Sequence, residues 1–265
     1  MDARGCWIGI NGHRLEAAWW AKGAEMGPET GPVIVLLHEG LGSVGLWRGF
    51  PAALARATGL GVFAWSRLGY GRSDPAALPR PFSYLHDEAA LLPKVLDAAG
   101  ITRCLLLGHS DGASIAAIHA GCAPDPRVAG AVLIAPHVFV EAVTLEGLAE
   151  ARQRYATGGL RQQLARRHSH PDIVFHGWND TWLDPGFAGW TLDRELAAIR
   201  MPLLVIQGEA DPYGTAEHAR RIAQRAAGPV ELLLLPGIGH VPQSEAPEAT
   251  LGAITRFCAR LLSRP

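Results

Sequence analysis

The chain has 265 residues, 48% of which are hydrophobic, and this composition is typical of a globular protein rather than a disordered one. The length is sufficient for one large α/β domain with its own core. The formal net charge is −1, and the sequence contains no basic block. Nucleic acid is therefore not expected as the main partner, because phosphate binding needs clustered Lys and Arg.

Three sequence features predict where the protein works. The N-terminal twenty residues lack the basic region, apolar core and cleavage site of a secretory signal. No window approaches 18 consecutive apolar residues, so no membrane span is predicted. The four cysteines are scattered without a CxxC pair, which is typical of free thiols in a reducing compartment. Together these features predict a cytoplasmic protein with no membrane partner.

The first part of the chain predicts a hairpin followed by strands that alternate with helices. Asn11-Gly12 is a strong turn signal between the segments 6–10 and 14–21. The run Val33–Leu37 predicts a strand buried on both faces. Pro93 predicts a kink in its helix. The remaining predicted elements are helices at 46–58, 83–100 and 111–122, and strands at 61–66, 103–108 and 128–136.

The alternation breaks down at residues 137–200 and then resumes. That segment is charged, Trp-rich and helical in its periodicity, and we interpret it as a helical cap inserted between core strands. The alternation elsewhere predicts a mostly parallel sheet covered by helices on both faces. The core then consists of residues 1–136 and 201–265. The elements predicted after the cap are strands at 202–208 and 230–237, and helices at 215–227 and 247–262.

Ser110 lies between two glycines at the point where a predicted strand becomes a helix. Side chains two positions away would collide on so tight a turn, and Gly108 and Gly112 remove them. The turn lifts the hydroxyl above the sheet, and the N–H groups at the helix start favour negative charge in the same space. Ser110 is therefore a candidate nucleophile.

A serine nucleophile needs a base, and the base needs an orienting acid. Asp211 follows the strand predicted at 202–208, and His240 follows the one at 230–237. Because ligands bind outside the carboxyl ends of parallel strands, we expect both side chains near Ser110. Glu209 is a rival acid but lies closer to its strand.

These residues occur in the order Ser, Asp, His, and the chain resembles the α/β-hydrolase family over nearly its whole length. The resemblance implies the α/β-hydrolase fold and a Ser110-Asp211-His240 catalytic triad. A serine at position 110 distinguishes the chain from family members that use Asp as the nucleophile at this turn, such as dehalogenases and epoxide hydrolases. The matching motifs are Gly108-His109-Ser110-Asp111-Gly112, His38-Glu39-Gly40-Leu41-Gly42, Gly208-Glu209-Ala210-Asp211, Gly239-His240 and the loop 66–74.

The resemblance also implies an oxyanion hole for acyl transfer. Its donors are expected to be the backbone N–H groups of Asp111 and of Gly40. The family's common His-Gly is replaced here by His38-Glu39. The Glu39 carboxylate either opposes a second negative charge at the site or turns away and bonds within its own loop.

Further side chains are candidates for substrate contact: His38, Glu39, His109, Trp178 and Trp182. His109 is interpreted first as a packing or wall residue beside the nucleophile. Trp178 and Trp182 are four residues apart, and they either pack on the domain or line the pocket. His168-x-His170 lacks a third ligand with clear spacing, so a solvated helix end is favoured and no metal is predicted.

The predicted function is esterase-like: hydrolysis of a carboxylic ester, lactone or thioester of a small, apolar or aromatic acyl compound through an acyl-enzyme. Three alternatives stay open, namely a C–C bond hydrolase, a cofactor-free dioxygenase for an aromatic-derived metabolite, and a small-molecule receptor. No GxGxxG fingerprint follows a strand, so no organic cofactor is expected. The expected partner is a small-molecule substrate, and the sequence leaves the oligomeric state open.

Overall fold

A computed structural model describes residues 3–20 and 31–262. Eight strands form one sheet in the order β1-β2-β4-β3-β5-β6-β7-β8. Strands β3 to β8 are parallel, whereas β1 and β2 pair antiparallel at one edge. The strands are β1 Arg4–Ile10, β2 His13–Trp20, β3 Val33–Leu37, β4 Gly61–Trp65, β5 Cys104–His109, β6 Val128–Ile134, β7 Leu203–Gly208 and β8 Val230–Leu235.

Helices cover both faces of this sheet, as the alternation predicts. Successive residues of β3 belong to opposite cores: Val33, Val35 and Leu37 pack in one, while Ile34 and Leu36 pack in the other. The helices are α1 Phe50–Thr58, α2 Tyr84–Ala98, α3 Asp111–Cys122, α4 Ala142–Ala156, α5 Gly159–Ala165, α6 Pro171–Trp182, α7 Asp193–Ala198, α8 Glu217–Arg225, α9 Pro242–Glu245 and α10 Pro247–Leu262.

The N-terminal hairpin is confirmed. Ile10 pairs with His13 across a turn in which Asn11 and Gly12 both have positive φ, at 52° and 84°. The positive φ angles at both central residues are those that a two-residue hairpin turn needs. Ala21, the last residue of the second predicted strand, lies outside the described residues.

Some predicted elements differ from the observed ones. The helix predicted at 46–58 is divided, because Arg48 has a φ of 52° between a 3₁₀ turn at Val44–Trp47 and α1. The strand predicted at 128–136 ends at Ile134, since Ala135 turns the chain with a φ of 47°. Helix α2 continues through Pro93. Among the described residues, no helix is long and apolar enough to cross a membrane.

Residues 137–200 contribute helices α4 to α7 between strands β6 and β7. A small apolar cluster joins α4, α5 and α6 and lies against Leu41, which follows strand β3. These helices therefore pack beside the carboxyl ends of the parallel strands. The division of the chain into a core and a cap remains a prediction.

Candidate active site

The backbone at Ser110 is strained and closely surrounded. Ser110 joins β5 to α3 with φ 53° and ψ −118°, a conformation that costs about 1–3 kcal/mol for a non-glycine residue. A Cβ on Gly108 would lie 2.2 Å from the Gly112 oxygen, and one on Gly112 would lie 2.0 Å from the Leu37 oxygen. The glycines therefore permit this turn, as the sequence predicts.

Asp211 and His240 form a hydrogen-bonded pair in the loops after β7 and β8. His240 Nδ1 donates to Asp211 Oδ2 over 2.7 Å. Burial by itself raises the pKa of Asp211, but His240 and the Tyr213 N–H hold the pKa below its ordinary value. Asp211 is thus kept as a carboxylate that orients the His240 ring. Glu209, the rival acid, is exposed.

Ser110 and His240 line one cavity of about 170 Å³. The structure therefore brings the two side chains to the same space. Within the described residues, 3–20 and 31–262, Ser110 Oγ makes no hydrogen bond. Catalytic hydrogen bonds often tighten only when substrate binds. The cavity is lined by Glu39, Gly40, Leu41, Ser110, Asp111, His137, Thr144, Leu148, Trp178, Trp182, Tyr213 and His240.

The loop after β3 is held so that the Gly40 N–H points away from the protein interior. The Glu39 carbonyl accepts hydrogen bonds from His38 Nδ1 at 2.8 Å and Arg67 Nη2 at 3.2 Å. In a trans peptide the N–H of Gly40 points opposite to this carbonyl. Gly40 and Asp111 both line the cavity, so both predicted oxyanion donors lie beside it.

Glu39 directs its carboxylate toward His109, and its own backbone N–H also stabilises the carboxylate charge. Its carboxylate lies over Gly42, and Oε2 is 3.7 Å from His109 Nδ1. Burial alone raises the pKa of Glu39, but His109, the Glu39 backbone N–H and Arg67 together lower the pKa below its ordinary value. The cavity therefore has an anionic side chain in its wall.

His38 and His109 are both buried, and neither lines this cavity, so their contact with a substrate stays a prediction. His38 Nε2 accepts a hydrogen bond from the Arg67 backbone N–H. Burial, and to a smaller extent the positive charge of Arg67, holds the pKa of His38 well below its ordinary value. His109 Nε2 donates to the His240 carbonyl over 2.8 Å, and Gln243 bonds its other ring nitrogen. Through these bonds both histidines support the loops of the site.

The two tryptophans of α6 have different environments, although both line the cavity. Trp178 is half-buried against Gly40, where a Cβ would lie 2.3 Å from the indole. Trp182 is 1% exposed and belongs to the main core. Trp178 is therefore a wall residue, and Trp182 is also a packing residue.

A buried chain of hydrogen bonds connects α6 to the residue after the nucleophile. Trp182 Nε1 donates to Tyr84 Oη at 2.7 Å, and Tyr84 Oη donates to Asp111 Oδ2 at 2.9 Å. Arg67 Nη2 lies 3.8 Å from the same carboxylate. Burial raises the pKa of Tyr84 well above its ordinary value, and Asp111 adds to this shift, so the phenol remains a donor.

His137 and Tyr213 also line the cavity, and sequence reasoning did not identify them as site residues. His137 Nε2 donates to the Tyr213 carbonyl over 3.0 Å, and burial together with neighbouring histidines lowers the pKa of His137 to about 3.

His168 differs from the predicted solvated helix end: it is buried, and its ring nitrogens bond the Gly71 N–H and the Leu41 carbonyl.

Replacing Tyr84 by Phe should lower the free energy of unfolding by at least about 2 kcal/mol, because the buried groups of Trp182 and Asp111 both lose their partner. Chemical denaturation measures the change. The control is Tyr155→Phe, which removes one bond to the exposed Asp172 and should cost about 1 kcal/mol or less. Equal stabilities for the two variants would contradict the described network.

Comparisons with known proteins agree with this architecture. The sequence model described as "Alpha/beta hydrolase family" matches residues 34–253. The chain is 29% identical to carboxylesterase YbfK of Bacillus subtilis (strain 168), covering 84% of this chain and 78% of that protein. A solved structure of proline iminopeptidase from Mycobacterium smegmatis superposes with a TM-score of 0.75 at 20% identity, covering 97% of this chain and 98% of that one.

A third relative is longer than this chain. It is the dihydrolipoyllysine-residue acetyltransferase component of the acetoin cleaving system of Pseudomonas putida, with 30% identity over 84% of this chain. This chain spans 62% of that relative's length. The match across residues 34–253 covers more than half of the sequence, and the chain belongs to the alpha/beta hydrolase family.

Proposed function

We propose that this protein is a serine hydrolase that cleaves esters, lactones or thioesters of small acyl compounds. The observation that carries the proposal is the 2.7 Å bond between His240 and Asp211 at the cavity that Ser110 lines. A buried carboxylate that fixes one ring nitrogen leaves the other nitrogen free to accept a proton. The similarity to a carboxylesterase supports the same class of reaction.

The proposed reaction proceeds in two halves. His240 Nε2 takes the Ser110 proton while Ser110 Oγ attacks the acyl carbon, and the protonated ring then gives that proton to the leaving group. Water, deprotonated by the same histidine, next attacks the acyl-enzyme; the bond to Ser110 Oγ breaks, the acid is released, and the histidine returns the proton to Ser110 Oγ. Asp211 keeps the ring oriented through its bond to Nδ1. The N–H groups of Asp111 and Gly40 are the proposed donors to the oxyanion of each tetrahedral intermediate.

The shape and charge of the cavity support a small, uncharged and apolar acyl group. Its volume of about 170 Å³ is small, and much of its wall is indole or aliphatic surface from Leu41, Leu148, Trp178 and Trp182. Glu39 lines the same cavity as an anion and would repel an acyl group that carries a carboxylate.

Turnover of short p-nitrophenyl esters tests this proposal and separates an enzyme from a receptor. Ser110→Ala and Asp211→Asn should each lower kcat/KM by about 10³-fold or more, because the nucleophile or the orientation of its base is lost. The matched control is Glu209→Gln, which neutralises an exposed carboxylate two residues from Asp211 and should change kcat/KM less than about twofold. Full activity in Asp211→Asn, or an equal loss in Glu209→Gln, would refute the assignment.

Alanine substitutions in α6 test the proposed wall of the acyl pocket. Trp178→Ala should shift kcat/KM toward longer acyl chains across an ester panel, because it removes an indole that lies against Gly40. Trp182→Ala should mainly destabilise the protein, by the ~3–5 kcal/mol typical of a buried Trp truncation. An unchanged acyl-chain preference in Trp178→Ala would contradict its place in the pocket wall.

A further inference from the structure

Three metal-ligating side chains converge at a place separate from the candidate active site. His86 lies in the first turn of α2, Cys122 is the last residue of α3, and Glu195 lies in α7. One nitrogen, sulfur or oxygen atom from each lies within 4.8 Å of the others. Neither the proposed triad nor the cavity wall uses any of the three.

The backbone holds two of these ligands together. A Cβ on Gly121 would lie 2.2 Å from the Glu195 carbonyl oxygen, so only glycine allows α3 to approach α7 this closely. The residue that follows is Cys122, which this contact places next to Glu195. His86 reaches the same point from α2, with Nε2 3.2 Å from Glu195 Oε1. The cluster therefore depends on packed helices rather than on a flexible loop.

The separations suit a tetrahedral ion. Zinc bonds sulfur at about 2.3 Å and nitrogen or oxygen at about 2.0–2.2 Å, so neighbouring tetrahedral ligands lie about 3.3–3.6 Å apart. His86 Nε2 and Glu195 Oε1 are already close to this spacing at 3.2 Å. No pair of ligand atoms exceeds this spacing by more than about 1.5 Å, so side-chain movements of that size would complete the coordination. The side chains of His86 and Glu195 are 34% and 14% exposed, so an ion and a water ligand can reach them.

The charged groups that act on the Cys122 thiol are Glu195 and Arg194. Burial raises the pKa of the Cys122 thiol and the Glu195 carboxylate raises it further, while Arg194 opposes the shift. A divalent ion would reverse this effect by stabilising the thiolate and would displace the thiol proton. The third side chain of the cluster, His86, binds a metal through a neutral ring nitrogen.

We propose that His86, Cys122 and Glu195 bind a zinc-class divalent ion, with water as the fourth ligand. A thiolate, an imidazole and a carboxylate together form a donor set that zinc accepts, whereas magnesium and calcium require oxygen ligands. The bound ion would join α7, the last helix before β7, to the core helices α2 and α3. Its role is structural, and the site does not depend on the proposed hydrolase function.

Cobalt is the probe for this site, because a cobalt–thiolate bond gives a charge-transfer absorption that other ligands do not. Untagged protein, stripped with a chelator, is titrated with Co²⁺ and then with Zn²⁺ as a competitor. We expect saturation at one equivalent, displacement of cobalt by zinc, and a rise in Tm on zinc addition, since binding to the native state stabilises it.

Single substitutions identify the ligands. Cys122→Ser should abolish the charge-transfer band, and His86→Gln and Glu195→Gln should each weaken cobalt binding at least tenfold. The matched controls are Cys6→Ser, a half-buried cysteine in β1, and His176→Gln, an exposed histidine in α6; both should bind cobalt as the native protein does. Circular dichroism in chelator confirms that each variant is folded. Absence of the band in native protein, or its persistence in Cys122→Ser, would overturn the proposal.

Discussion

The close backbone approach around Ser110 is the constraint on which the rest of the site depends. Gly112 lies so near the end of β3 that a single methyl group would overlap the Leu37 carbonyl, and Gly108 faces Gly112 in the same way. This contact packs the start of α3 against two parallel strands and holds Ser110 at a positive φ. The parallel sheet then brings Asp211 and His240 to the same edge, because both follow strands that run in the same direction as β5.

Arg67 links the two segments that carry the proposed oxyanion donors. Its guanidinium donates to the carbonyls of His38 and Glu39 and lies 3.8 Å from the Asp111 carboxylate. At 2% exposure, such a charge is costly unless it is paired and hydrogen-bonded. The same contacts therefore offset the cost of burying Arg67, fix the Gly40 peptide and balance a carboxylate next to the nucleophile. Tyr84 and Trp182 extend this network into helix α6.

The sequence was sufficient for the features that depend on local pattern. Gly108 and Gly112 predict the strained turn, β-branched runs predict the buried strands, and Asn11-Gly12 predicts the hairpin. It was insufficient where the outcome depends on contacts between distant segments. His38 lies two residues before Gly40 in the chain but points inward, because the Arg67 N–H and the Glu39 carbonyl bond its two ring nitrogens. The role of Tyr84 could not be predicted, because nothing in the sequence around a tyrosine at the start of a helix indicates that Trp182 and Asp111 will be its buried partners.

Ser110 is the proposed nucleophile of a covalent mechanism, and covalent labelling of the active site examines this role at the residue itself. The native protein is treated with a fluorophosphonate, digested, and mapped by mass spectrometry, with Ser110→Ala as the control. We expect one phosphonyl group per chain, located on Ser110, and no labelling of the variant. Folded native protein that takes up no label, or a label on another residue that persists in Ser110→Ala, would contradict this role for Ser110.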